Sequence, residues 1–369
     1  MKRLFAIKAM ALAGGGAERV LALVTGALAR RGHDVTLASF DRPGEAPFYP
    51  LDPAVRHLRL GIGDTARGTG PGEALRRVRA LRRLAREQGP DVAIGFMHSS
   101  YIPLGLALLG TGIPVVGSEH ISCDHYRSRP LQATLLRLAP ALIRTMTVLS
   151  PAVRDGFPPS LRRLMSVVPN PVEVAVERPA DVAGGKRKTL LAVGRLEAQK
   201  DHAVLIEAFG RLAGHFSDWR LRIVGEGALR PQLDAQVRSL GLDGLVQLPG
   251  ALRDIEAEYS AAQLFAMPSA YESFGLTTAE ALAHGLPVVG FAECPGTNEL
   301  VRDGVNGLLA EGSDRAAALA DALGRLMASP ELRARLGAAG PAAIEPFAPE
   351  RVTDIWEGLL ARIAARPSE

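Results

Sequence analysis

Apolar positions recur along this chain with two alternating periods. "KRLFAIKAMAL" opens on an almost unbroken apolar run, Gly14, Gly15 and Gly16 follow, and "AERVLALVTGALARRG" then spaces its apolar residues three and four apart. That pattern predicts a buried strand, a glycine loop, and an amphipathic helix that stops at Gly32 behind two arginines. "HDVTLASF" reads as the next strand. The rhythm continues through "RRVRALRRLAREQG" into "DVAIGFM", through "YIPLGLALLGTG" into "PVVGSEH", and on to "TMTVLS" and "SVVPNPV". Strands alternating with helices predict a parallel sheet covered on both faces.

Around "ERPADVAGGKRK" the periodicity lapses and Pro, Gly and charge take over, which predicts a linker. A second cycle then runs through the strands "TLLAVGRL", "WRLRIVGEG", "VQLPG", "LFAMPS", "LPVVGF" and "GLLA", with helices "DHAVLIEAFGRLAG", "LRPQLDAQVRSLG" and "IEAEYSAA" between them. The expectation is an α/β protein of two doubly wound, Rossmann-like domains, residues 1–178 and 185–348, with a cleft between them. A length of 369 residues suits two such cores. Ligands of open α/β sheets sit beyond the carboxyl ends of the strands, where the glycine loop and the stretch "SAYESFGLTTAEALAHGLPVV" both fall.

Composition adds constraints. With 47% apolar and 22% charged residues the chain is globular in character. Its two cysteines, Cys123 and Cys294, make no disulfide framework and suit a reducing compartment, so a cytoplasmic protein is expected. The basic, apolar start resembles a signal peptide, but Lys8 interrupts it and a first strand accounts for it better. The longest uncharged run, "YIPLGLALLGTGIPVVGS", carries two prolines and four glycines, and no transmembrane helix is read there. Charge is uneven: residues 1–180 hold 24 Lys and Arg against 14 Asp and Glu, and the remainder holds 19 against 25. The arginines of "LRRVRALRRLAR" suit an anionic partner or surface, or else a solvated helix face. No nucleic-acid partner is expected.

Three features of the second half point to one ligand. In "VGRLEAQKDH", Arg195 follows a strand and Lys200 stands just before a helix start, a pair suited to a diphosphate. In "ESFGL", Gly275 lets the backbone approach a ligand, and the helix behind it presents unpaired N–H groups. Glu272 and Glu280 can each hold vicinal hydroxyls of a sugar or ribose. Alone, Glu280 would read as a solvated helix position; the combination favours one ligand that carries a diphosphate and vicinal hydroxyls.

These motifs, with "IVGEG" and "GVNGLL", resemble the retaining glycosyltransferases of family 4, whose GT-B fold sets two Rossmann-like domains facing each other. "GGAERV" resembles the N-terminal glycine loop of bacterial polysaccharide and lipid-linked oligosaccharide enzymes. "FAPERVTDIWEGLLARI" resembles the terminal helix that crosses back, which would assign 350–369 to the first domain. The resemblance implies that Arg195 and Lys200 bind the donor diphosphate, that Glu280 holds the ribose, and that Glu272 contacts the transferred sugar. It further implies donor contacts from Phe274, Gly275 and Leu276, base contacts from Ala251 and Leu252, loop closure at Gly15 and Gly16, and a place for His120 near the reactive carbon. His120, Glu272, Arg195 and Lys200 would form the catalytic set.

Glycosyl transfer builds negative charge on the departing diphosphate, and the two cations would stabilise it without a metal. No Asp-x-Asp stands where a metal-dependent enzyme would carry one, so neither a metal nor another cofactor is expected. "HISCDH" is too cramped to read as a zinc site. "AGGGAERV" lacks the spacing of a dinucleotide oxidoreductase. The expected reaction moves a hexose or N-acetylhexosamine from a nucleotide sugar, a UDP-sugar first, to a glycan or polyprenyl-diphosphate-linked acceptor, with peripheral association at an anionic inner membrane surface. A GDP-mannose-dependent mannosyltransferase and a non-catalytic sugar-nucleotide-binding subunit are the alternatives.

Overall fold

A computed structural model describes residues 1–12, 16–127, 129–174 and 176–365. The chain divides into two compact units, Met1–Pro171 with Pro349–Glu369, and Val172–Ala348. In the first, seven strands form one parallel sheet: β1 (Lys2–Ile7), β2 (Asp34–Ser39), β3 (Arg56–Arg59), β4 (Val92–Phe96), β5 (Val115–Ser118), β6 (Thr145–Val148) and β7 (Met165–Val167). Their order is β3-β2-β1-β4-β5-β6-β7. β1, β2 and β4 are almost wholly buried, which is why they read as continuous apolar runs. β3, "RHLR", is an edge strand with one exposed and three half-buried residues, and its pattern is too short and polar to read from the sequence.

The second unit repeats the plan with β8 (Lys188–Val193), β9 (Trp219–Val224), β10 (Val246–Gly250), β11 (Leu264–Met267), β12 (Val288–Phe291) and β13 (Gly307–Ala310), ordered β10-β9-β8-β11-β12-β13 and parallel throughout. Each sheet therefore reverses its winding once, between β1 and β4 and between β8 and β11, leaving a crevice at the carboxyl edge of each.

The unit boundary falls at Pro171 rather than at residue 178. The segment that reads as a linker is fastened to the second unit. Arg333, wholly buried, donates to the carbonyls of Val182 (2.8 Å) and Ala183 (3.2 Å), Gln263 to that of Asp181 (3.0 Å), and Ser260 to that of Arg178 (2.6 Å). Its polar composition serves backbone pairing, a partnership that periodicity does not record. The terminal helix Pro349–Ala364 returns to the first unit and packs on the helix Gly16–Arg30. There Arg31 pairs with Asp354 and Glu357, His33 with Glu357 at 2.5 Å, and Trp356 stacks over Phe96 at 6.1 Å.

The run "YIPLGLALLGTG" lies largely within the helix His98–Leu108, which holds Pro103 and buries Leu104 and Ala107. Among the described residues no helix is long and apolar enough to cross a membrane.

Candidate active site

β8 delivers the chain into the second crevice. Gly225 must be glycine there: its φ is 151°, and a Cβ would lie 1.9 Å from the carbonyl oxygen of Gly194. The same close approach lets Leu196 donate to Glu226 O and Leu229 donate to Leu196 O, so the loop bearing Arg195 is stapled to the loop after β9. Arg195 is exposed and donates to Glu197 Oε1 at 2.9 Å. Lys200 ends the short 3-10 turn Ala198–Lys200, and its Nζ lies 2.6 Å from Glu272 Oε1, with only 15% and 9% of the two side chains exposed.

Glu272 reaches that partner because the loops after β8 and β11 are joined through the backbone. Ala270 donates to Gln199 O (2.9 Å), and the Gln199 amide donates to Tyr271 O (2.8 Å). Glu272 N–H donates to Pro295 O, and Gly296 passes so close, at φ 79°, that a Cβ would sit 2.7 Å from Glu272 O. Arg315 braces the floor by donating to Pro268 O (3.1 Å), covering the Phe291 ring at 3.6 Å and pairing with Asp201 at 3.6 Å.

Gly275, at φ 80°, caps the helix Leu276–Ala283 without any side-chain capping bond, so the first amides of that helix are offered to the crevice side of the turn. The Phe274 ring is buried edge-on against Phe347 at 5.2 Å and serves to anchor the turn. Glu280 lies within the helix, 6% exposed, and accepts from the Tyr259 hydroxyl at 2.9 Å. Tyr259 belongs to the helix Ile255–Ala261, which follows closely on Ala251 and Leu252 after β10. The sequence reading missed Tyr259, although its inward position in "IEAEYSAA" was available as a signal.

Two ionisable neighbours are kept neutral. Burial, assisted by the cation of Lys200, holds the His202 imidazole down to about 4. Burial, with Glu272 adding to it, pushes the Cys294 thiol up to about 11, and its Sγ contacts Thr297 Oγ1 at 3.3 Å. Cys294 is therefore a packing residue beside the ion pair, with no thiolate to react.

In the first unit, His120 follows β5. Its Nε2 meets Ser118 Oγ at 3.0 Å, its ring stacks on Phe96 at 4.9 Å, and burial holds its pKa down to about 4. Thr147 Oγ1–H donates to Ser118 Oγ at 2.9 Å, so the serine is tied to both Thr147 and His120. Gly16 is exposed and opens the helix Gly16–Arg30; Gly15 lies outside the described residues. Beside His120, Glu119 is buried and accepts from the hydroxyls of Tyr101 and Tyr126, both at 2.7 Å. Nothing in the sequence pattern signalled that cluster. Among the described residues no group of three His, Cys, Asp or Glu could hold a metal ion, and "HISCDH" instead sends His125 to Arg129.

The structure thus gathers Arg195, Lys200, Glu272, Gly275 and Leu276 on two adjoining loops of one crevice, with Glu280 one helical turn deeper. His120 and Gly16 belong to the other unit.

The family described as Glycosyltransferase Family 4 matches residues 14–176, and that described as Glycosyl transferases group 1 matches residues 175–343. An uncharacterized glycosyltransferase of Haemophilus influenzae is 26% identical over 94% of this chain and 96% of its own. A Campylobacter jejuni N-acetylgalactosaminyltransferase, named for an undecaprenol-diphosphate-linked glycan acceptor, is 26% identical over 95% and 96%. The solved Anabaena protein HepE in complex with UDP-glucose superposes with a TM-score of 0.80 at 21% identity, covering 98% of this chain and 100% of that one. Two parallel Rossmann-like units, matched end to end by these two family descriptions, make the chain a family 4-like glycosyltransferase of the GT-B fold.

Proposed function

We propose that this glycosyltransferase moves a hexosyl or N-acetylhexosaminyl group, with retention at the anomeric carbon, from a UDP-sugar to a glycan or polyprenyl-diphosphate-linked oligosaccharide, without a metal ion. The observation that carries the reading is the Lys200–Glu272 pair, Nζ to Oε1 at 2.6 Å, at the carboxyl edge of β8 and β11 with Arg195 on the same loop. Bond breaking loads the departing diphosphate with negative charge and leaves oxocarbenium character on the sugar. A cation and a carboxylate held side by side match those two charges. Lys200 and Arg195 take the diphosphate, the amides of Gly275 and Leu276 add donors to its oxygens, and Glu272 faces the sugar. Glu280, held by Tyr259, takes the ribose hydroxyls, while Ala251 and Leu252 border the base. His120, neutral at physiological pH, is assigned a hydrogen bond to the transferred sugar.

The UDP assignment is supported by the UDP-glucose found with HepE, and the lipid-linked acceptor by the name of the Campylobacter relative. The helix Pro71–Gln88 adds a physical argument. Arg76 and Arg79 are exposed and line an open cavity of about 480 Å³ with Gly61, Ile62 and Gly63, while Leu75 on this helix, Leu106 on the adjoining helix and Leu109 just beyond its end stand exposed. Basic residues at an anionic bilayer surface contribute roughly 1 kcal/mol each, so association with the inner membrane face is part of the proposal.

The test is thermal stabilisation by a panel of UDP-, GDP-, ADP- and dTDP-sugars, followed by NMR assignment of the product anomer. A preferred ligand near saturation raises stability by a few kcal/mol. Inversion of the anomer, or stabilisation by none of the panel, would refute the reading, and a preference for GDP-mannose would reassign the donor. Flotation with anionic vesicles at low salt tests the membrane component; a protein that stays at the bottom of the gradient removes it.

A further inference from the structure

The winding of the first sheet reverses between β1 and β4, and the first residue of the helix beyond β4 is His98. Met97, between them, has φ 68° and is one of two non-glycine residues at positive φ among the described residues; the other is Asp201, next to Lys200. Such strain persists only where surrounding bonds enforce it. Here Met97 N–H donates to Ser118 O (2.8 Å), and Met97 O accepts from Ser100 (2.9 Å) and Tyr101 (3.0 Å). The backbone is held against its preference to start the helix with a histidine at the sheet's carboxyl edge.

The imidazole is oriented as tightly as the backbone. Tyr126 Oη lies 2.7 Å from Glu119 Oε2 and 3.0 Å from His98 Nδ1. A phenol has one O–H to donate, and Tyr126 donates it to the buried Glu119 carboxylate. The contact with His98 is then a hydrogen bond in which Nδ1–H donates to Tyr126 Oη, which assigns the tautomer and leaves a lone pair on Nε2. Glu119 is secured in turn by Tyr101 Oη at 2.7 Å and by Ile121 N–H at 3.0 Å. Among the described residues nothing hydrogen-bonds to His98 Nε2, and the ring is half-buried. Burial, with His125 and Arg129 adding positive charge, holds His98 down to about 4, so the ring is neutral.

We propose that His98 Nε2 accepts a hydrogen bond from a hydroxyl of the acceptor sugar, with Tyr126 and Glu119 as the positioning residues that fix its tautomer. A neutral lone pair discriminates by chemistry: it welcomes an O–H donor and offers nothing to a diphosphate diester, which is fully ionised at neutral pH and has acceptors only. His98 therefore reads the sugar end of the acceptor and not a lipid-linked diphosphate. The proposal rests on the reading above, in which the donor is held by Arg195, Lys200 and Glu272.

The test uses the full chain with 15N-labelled histidine and octyl glycosides of glucose, galactose and N-acetylgalactosamine as probes. His98 is expected to show the Nδ1–H tautomer, its Nε2 resonance is expected to shift on addition of the glycoside that binds, and Tyr126→Phe is expected to convert part of the population to Nε2–H. In turnover with UDP-sugars, His98→Ala is expected to raise the KM for the glycoside at least tenfold while the donor KM and donor hydrolysis into water stay within twofold. His98→Gln, whose amide oxygen can replace the Nε2 lone pair, is expected to recover part of the loss. A wild-type Nε2–H tautomer, an Nε2 resonance unmoved by every glycoside, or a donor KM that rises as much as the acceptor KM overturns the proposal. Should the wild type consume no nucleotide sugar, the donor reading fails, and the spectra still decide the role of His98.

Discussion

Lys200 and Glu272 lie 72 positions apart in the sequence, and their side chains meet in a hydrogen bond. Removing the cation leaves a largely buried carboxylate without its counter-charge, which is costlier than losing an exposed ion pair. We expect Lys200→Ala to lower kcat by roughly 10²–10³, the usual effect of deleting one preorganised donor, with a smaller change in nucleotide affinity. Lys200→Arg should not restore the rate, because a planar fork does not occupy the place of a point charge. Steady-state kinetics with the preferred donor reads both, and a kcat within threefold of wild type for Lys200→Ala would remove Lys200 from the catalytic set. Tyr259→Phe deletes the 2.9 Å bond to Glu280. A hydrogen bond to a charged group is worth about 1.5–3 kcal/mol, so donor affinity should weaken about tenfold or more in a calorimetric titration, with kcat changing less.

At the level of elements, glycine governs how closely the loops approach. Gly296 combines φ 79° with a Cβ position 2.7 Å from Glu272 O, so Gly296→Ala must both strain its own backbone and push Glu272 away from Lys200. A loss of stability of about 1–3 kcal/mol in urea unfolding is expected, together with a fall in kcat. Equal stability and activity would mean that the loop after β12 does not set the position of Glu272. The segment before β8 is a second such element. The carbonyls of Val182 and Ala183 are served by the wholly buried Arg333, and Arg333→Met removes these donors. Limited proteolysis should then cut between residues 178 and 187 much faster than in the wild type; an unchanged rate would show that the segment is held by other bonds.

Across the whole molecule, four histidines share one response to acid. His57, His98, His120 and His202 are each held down to about 4, in every case chiefly by burial, against an ordinary value of 6.5. Between those values the unfolded chain binds a proton at each position and the folded chain does not, so unfolding takes up protons and stability falls as pH is lowered from about 6.5 to about 4. Below about 4 both states are protonated and this loss ends. Urea midpoints at pH 7 and pH 5 measure it, and a midpoint at pH 5 equal to or above that at pH 7 would contradict the assignment. His98→Gln should flatten the slope, since it removes one of the four groups.

The alternation of apolar runs with amphipathic stretches was sufficient to specify two parallel sheets, because burial on both faces of a strand and on one face of a helix is recorded locally. The cations near one strand end and the acids near another were visible as types and spacings in "VGRLEAQKDH" and "YESFGLTTAE". What periodicity cannot encode is partnership between distant segments. Strand order, and with it the two reversals that create crevices, came from packing. So did the contact of Lys200 with Glu272, the hold of Tyr259 on Glu280, and the assignment of the polar segment after Pro171 to the second unit. The Glu119–Tyr126–His98 chain was the least visible of all, since its members are scattered over two helices and a loop and become a unit only when the fold buries a carboxylate and must find it donors.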